Sequence, residues 1–130
     1  MKSLTVCQPY AHLIIHCDKR IENRTRPTKY RGQLAIHAGK SEKWIEPYLF
    51  NQTNPYPRVA IIPELVFGAI IGTVDLVDCV PLEKVEGQPY AGGPWCWILE
   101  NPRPLSEPIP WKGQLGLFNV PDDVIKGQAA

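Results

Sequence analysis

Residues 4–40 read LTVCQPYAHLIIHCDKRIENRTRPTKYRGQLAIHAGK, and the rest of the chain is placed by how this stretch folds. Alternation over Lys2–Cys7 predicts a strand. Pro9 fits the first turn of a helix, where a missing N–H forfeits no intrahelical bond. Ala11, Ile14 and Ile15 then fall at i, i+3 and i+4, with Leu13 widening the apolar face, and the helix is expected to stop near Cys17-Asp18. Arg20–Thr25 reads as a short extended segment, with Arg20, Glu22 and Arg24 on one face and Ile21, Asn23 and Thr25 on the other. Pro27 ends it. A Tyr30-Arg31-Gly32 corner leads into Gln33–Ala38, a strand with Leu34, Ile36 and Ala38 on one face and Ala35 and His37 on the other.

Charge is concentrated in the same stretch. Lys19, Arg20, Arg24, Arg26, Lys29 and Arg31 surround a single acid, Glu22, in a chain whose formal net charge is only +1. A carboxylate two residues from Arg24 and three from Lys19 is a candidate for ligand binding or proton transfer. The alternative is a solvated turn laced with surface ion pairs, each contributing about 0–1 kcal/mol.

The 130 residues suit one domain with one core, and a 44% hydrophobic content fits a globular chain. Fourteen prolines and ten glycines favour a β-rich fold over a helical bundle. No apolar run approaches the ~20 residues that span a bilayer. MKSLTVCQPY carries no apolar leader, so a cytoplasmic protein without membrane contact is expected. In such a protein the glycosylation-like triplets at Asn23 and Asn51 are chance matches. Cys7, Cys17, Cys79 and Cys96 form no C-x-x-C pair, so neither a metal nor a cofactor is expected. Cys7 and Cys79 lie in apolar runs and read as buried thiols. His12 and His16 share a helix face without a third ligand and read as partly exposed.

Beyond residue 40 the signals are plainer. Lys40–Asn51 is predicted helical, with Ser41 as N-cap, a Trp44, Ile45, Tyr48 and Leu49 stripe, and Pro47 able to shorten it. Asn51–Pro63 reads as loop, with turn signals at Asn54-Pro55-Tyr56-Pro57 and an apolar insert at Val59–Ile62. Phe67–Val80 is the longest strand candidate, and it places Asp75 beside Thr73 and Val77. Leu82–Gly93 reads as a polar connection and Trp95–Asn101 as a strand. Pro102–Pro110 reads as an extended link unsuited to a central strand. Gln114–Val120 is the last strand, and Pro121-Asp122-Asp123 opens a short helix. Trp97 and Phe118 read as core and Trp44 and Tyr48 as helix packing. Trp95, after Gly92-Gly93-Pro94, reads as a cleft edge.

Taken together, several of these motifs resemble the ASCH domain family. They are Gln8-Pro9-Tyr10-Ala11, the Lys19-x-x-Glu22-x-Arg24 turn, and Tyr30-Arg31-Gly32-x-Leu34-x-Ile36-His37-Ala38. The order continues through Gly68–Asp75, Gly93-Pro94-Trp95, Trp97–Pro102 and Ile109–Gly113. The resemblance implies a single α+β domain similar to PUA domains, a small mixed β-barrel with short helices at its rim and a cleft. It also implies an RNA-related role, and for some members amidohydrolase activity on N4-acylcytidine or ribonuclease activity. Carried onto this chain, it sets Lys19, Glu22 and Arg24 at one wall of the cleft, Gln8 and Tyr10 at the helix start, and Asp75 on the strand opposite. The amidohydrolase branch has a threonine where this chain has Glu22, and many members have a glycine where it has Cys17.

Two functions are therefore carried forward. In the first, single-stranded RNA or a nucleotide-type ligand is bound by Arg24, Arg31, Lys40 and Gln8, with Tyr10 or Trp95 stacking on a base. Such stacking contributes roughly 1–3 kcal/mol per base. A net charge near zero argues against tight non-specific duplex binding. In the second, a metal-independent hydrolase uses Lys19 and Glu22 as an acid–base pair, with Asp75 as a second carboxylate. The bland alternative is that Glu22 and Arg24 only brace the turn.

Overall fold

A computed structural model describes residues 1–49 and 65–126. In chain order it contains β1 (Lys2–Val6), α1 (Tyr10–His16), β2 (Ile21–Arg24), β3 (Gly32–Ala38), α2 (Ile45–Leu49), β4 (Ala69–Pro81), a 3-10 turn at Leu82–Lys84, β5 (Trp95–Pro110), β6 (Leu117–Asn119) and α3 (Asp122–Ile125). The expected turn at 54–57, the insert at 59–62 and the helix end at Asn51 lie outside the described residues.

Six strands form one mixed sheet in the order β2-β5-β4-β3-β1-β6. β1 and β3 run parallel, which requires a crossover, and α1 with β2 supplies it. The other neighbouring pairs are antiparallel. β2 and β1 stand four places apart, a separation of about 19 Å in a flat sheet at ~4.8 Å per strand. Yet Arg24 Nη2 on β2 donates to the Thr5 carbonyl on β1 at 2.7 Å. The sheet has curled into a half-barrel, and a side chain spans its open seam.

The alternation read in β3 sorts its residues to two cores. Leu34, Ile36 and Ala38 join Leu4, Val6, Val74, Leu76, Trp97 and Leu99 in the main cluster, onto which α1 lays Ala11, Ile14 and Ile15. Ala35 joins Ile70, Leu105, Phe118, Val120 and Ile125 on the other face. α1 approaches the sheet at Gly72, where an added Cβ would stand 2.7 Å from Ile15 Cδ1 and 2.8 Å from the Arg103 carbonyl.

Several expectations need correcting. The Pro102–Pro110 stretch is a strand: it continues β5 and pairs with β4 at Arg103–Thr73, Pro104–Gly72, Ile109–Ile70 and Pro110–Ala69. β2 covers β5 only over Trp95–Ile98. Among the described residues the proline half thus has a strand partner on one side only, where missing N–H donors are tolerated. The second helix starts later than read, at Ile45 rather than Lys40, and is described as far as Leu49, with Tyr48 buried but Trp44 exposed. The last strand shrinks to Leu117–Asn119. His12 is buried in α1, while Cys7 and Cys79 are only half-buried and Cys96 is the fully buried thiol.

Candidate functional site

The site forms where α1 hands over to β2. Arg20 turns back onto α1 rather than onto Glu22. Its Nη1 donates to the carbonyls of Ile14, Cys17 and Lys19, the acceptors that a helix C-terminus leaves over. This brings Lys19, only 3% exposed, under the start of β2. Lys19 Nζ donates to the Ile21 carbonyl and, at 3.1 Å, to Glu22 Oε1. Arg24 Nε lies 3.1 Å from Glu22 Oε2. The buried carboxylate is thus bracketed by two cations, one of which also closes the seam through Thr5. Burial pushes the Lys19 ammonium below its ordinary pKa, opposed by the charge and hydrogen bond of Glu22.

Aromatic rings enclose this cluster. Lys19 Nζ is 5.8 Å from the Tyr10 ring centroid and 5.4 Å from that of Tyr90, within cation–π range of both. Tyr10 also meets Tyr48 edge-on, and burial together with the Glu22 charge raises its phenol above the usual value. Trp95 stands opposite Arg24 in the β2–β5 register and is half-buried.

Tyr90 was not legible in the sequence, because its place depends on Asn23. The Asn23 amide donates to the Tyr90 carbonyl at 2.8 Å, and its oxygen accepts from Gly92 and Gly93 N–H at 2.9 and 2.8 Å. Tyr90 itself sits at φ 68. One asparagine on β2 therefore shapes the 90–93 loop. The signal available was the Asn beside Glu22 and the Tyr-Ala-Gly-Gly run, which read separately as strand and connection.

Other sequence candidates go elsewhere. Gln8 is fully buried, donating to the Val66 carbonyl at 2.8 Å and accepting from the His12 N–H at 2.9 Å. Both ends of its amide are committed, one to α1 and the other to the segment before β4, so it ties these two together. Arg31 turns onto its own corner, to the Thr28 and Tyr30 carbonyls, and reaches Asp78 at 3.6 Å. Asp75 does not converge on Lys19 and Glu22. It is the register partner of the exposed Gln33 and Glu100, whereas Glu22 is the partner of Trp97 on the main-core face. Asp75 is paired with Arg103 at 2.7 Å and with Asn101 at 2.9 Å, which hold its carboxyl below the usual range. Lys40 lines a separate groove with Trp111 and Lys112. Among the described residues no three His, Cys, Asp or Glu side chains gather as a metal site. None of the described helices is long and apolar enough to cross a membrane.

A curled six-stranded mixed sheet with few short helices and a polar cluster at its seam defines a PUA-like α+β fold. The model of the ASCH domain matches residues 4–109, and the chain belongs to the ASCH domain family. It is similar to human Activating signal cointegrator 1, 27% identical over 135 residues covering 95% of this chain and 23% of that protein. The mouse protein of the same name is 25% identical over the same shares. The chain thus spans under a quarter of the length of these relatives. Among solved structures it resembles the ASCH protein of Zymomonas mobilis, with a TM-score of 0.57, 12% identity, and 95% and 89% of the two chains covered. A tyrosine-to-phenylalanine variant of that protein gives a TM-score of 0.59, also at 12% identity, with 95% and 91% covered.

Proposed function

We propose that the chain binds single-stranded RNA or a nucleotide-type ligand at the seam, over Lys19, Glu22 and Arg24 and between Tyr10, Tyr90 and Trp95. The observation carrying this reading is the Lys19 ammonium held between two half-buried tyrosine rings, with the partly exposed Arg24 guanidinium beside it. Aromatic faces beside fixed positive charge are what an unpaired base and its phosphate require. Membership of the ASCH family supports the same direction.

The hydrolase reading has one observation in its favour, the lowered pKa of Lys19, which suits an amine to proton transfer. Against it, the second carboxylate is missing from the site, because Asp75 lies on the other face. Binding is the better reading.

The test is anisotropy titration of a labelled RNA octamer at two salt concentrations. Tyr90→Ala and Arg24→Ala, checked for folding by circular dichroism, are expected to weaken binding about tenfold, the lower-to-middle range of one lost stack. Affinity equal to wild type in both variants overturns the proposal. Glu22-dependent turnover of N4-acetylcytidine or RNA in the same samples would replace it with the hydrolase reading.

A further inference from the structure

A concave groove lies on the face of the sheet away from the main core. Thr5 and His37 are register partners whose neighbours in sequence, Val6, Ile36 and Ala38, face the main core. Their own side chains therefore share the opposite face, where the His37 ring meets Phe118 edge-on. On that face Thr5, His37, Lys40, Gly68, Trp111 and Lys112 contribute to the lining of a groove of about 710 Å³. This volume falls within the range of small-ligand sites.

Packing builds this groove. His37 is buried, with Nε2 2.6 Å from the Trp111 carbonyl and Nδ1 3.2 Å from Thr5 Oγ1. A carbonyl only accepts, so Nε2 carries a proton, and in the neutral ring Nδ1 accepts from the Thr5 hydroxyl. The ring is thereby a strut that pins residues 111–113 to β1 and β3. Gly113 allows the close approach, since a Cβ there would lie 2.9 Å from His37 Cε1 and 3.0 Å from Thr5 Oγ1. The stem of Lys40 crosses Gly68, passing 3.0 Å from where a Cβ would stand. That packing limits where the Lys40 ammonium can go. With His37 and Thr5 committed to each other, Lys40 and Lys112 are the positive groups left to a ligand. No acid among the described residues lines the groove.

We propose that this groove is a nucleotide site, with a phosphate monoester between Lys40 and Lys112 and the base along the half-buried Trp111. Two ammonium groups match a dianionic phosphate, and an indole face accepts any base. None of Tyr10, Lys19, Glu22, Arg24, Tyr90 and Trp95 lines this groove, so it stands apart from the reading given for the seam.

The experiment is an amide-resolved NMR titration of the full chain with uridine 5′-monophosphate, with uridine and inorganic phosphate as separate arms. The nucleotide is expected to shift amides at 37–40, 68 and 111–113. The Lys40→Gln/Lys112→Gln variant should raise the dissociation constant at least tenfold, and Trp111→Leu should erase the nucleotide's advantage over inorganic phosphate. Tyr90→Ala should leave these shifts unchanged, which separates the groove from the cleft. Groove amides unmoved by the nucleotide, shifts of equal size from uridine, or an unchanged constant in the double-lysine variant would each overturn the proposal.

Discussion

Lys19 and Glu22 show what a single pair of charges does inside a wall of rings. Both are nearly buried, and taking two ions out of water costs several kcal/mol per ion before their attraction offsets it. Breaking such a pair from one side is expected to be worse than deleting it. Glu22→Leu, which strands the Lys19 ammonium, should cost about 3–5 kcal/mol. Lys19→Met with Glu22→Leu should cost clearly less, and urea unfolding of the set gives the coupling. With the single Lys19→Met variant measured beside them, a double variant whose cost equals the sum of the two singles would show that the two side chains are not coupled. At this scale the sequence was half legible. The isolated acid among cations marked the cluster, because charge spacing along a strand is local. The Asn23 clamp, the Tyr90 ring and the burial of Gln8 were not, because each depends on a segment 58 to 70 residues away.

Elements were legible where one face of them is buried. β3 showed its two cores through strict alternation, and α1 showed its apolar face through spacing. The second half of β5 escaped, because proline content reads as a break and only the sheet shows that β2 leaves this half uncovered on one side. The contact between α1 and β4 was equally hidden, since nothing in the run around Gly72 says that Ile15 fits there. Gly72→Ala forces a methyl into a gap bounded at 2.7 and 2.8 Å. Overpacking of this kind costs about 1–3 kcal/mol. Thermal melts should show a correspondingly lower Tm, and an unchanged melt would mean that α1 is free to lift off the sheet.

Across the whole molecule, the two ends of the described chain close on each other. β6 pairs with β1, the Met1 ammonium reaches the Val120 carbonyl and Asp122 at 2.6 Å each, and Phe118, Val120 and Ile125 complete the second core. The sequence announced a last strand and a helix but not their partner, because alternation says which face is buried and nothing of which strand lies beside it. Three such buried side chains contribute about 1.5–3 kcal/mol each, against a typical total margin of 5–15 kcal/mol. A chain ending at Lys112 is therefore expected to lose its cooperative unfolding transition and to bind the dye ANS; a sharp transition in that variant would refute this. The seam carries a different consequence. Arg24 both joins β2 to Thr5 and belongs to the proposed binding site, so an anion that takes its guanidinium takes it from that carbonyl. Occupancy and closure of the wall are then reciprocal: whatever loosens the join invites the ligand, and the ligand loosens the join by the same free energy. Lock and latch are one side chain.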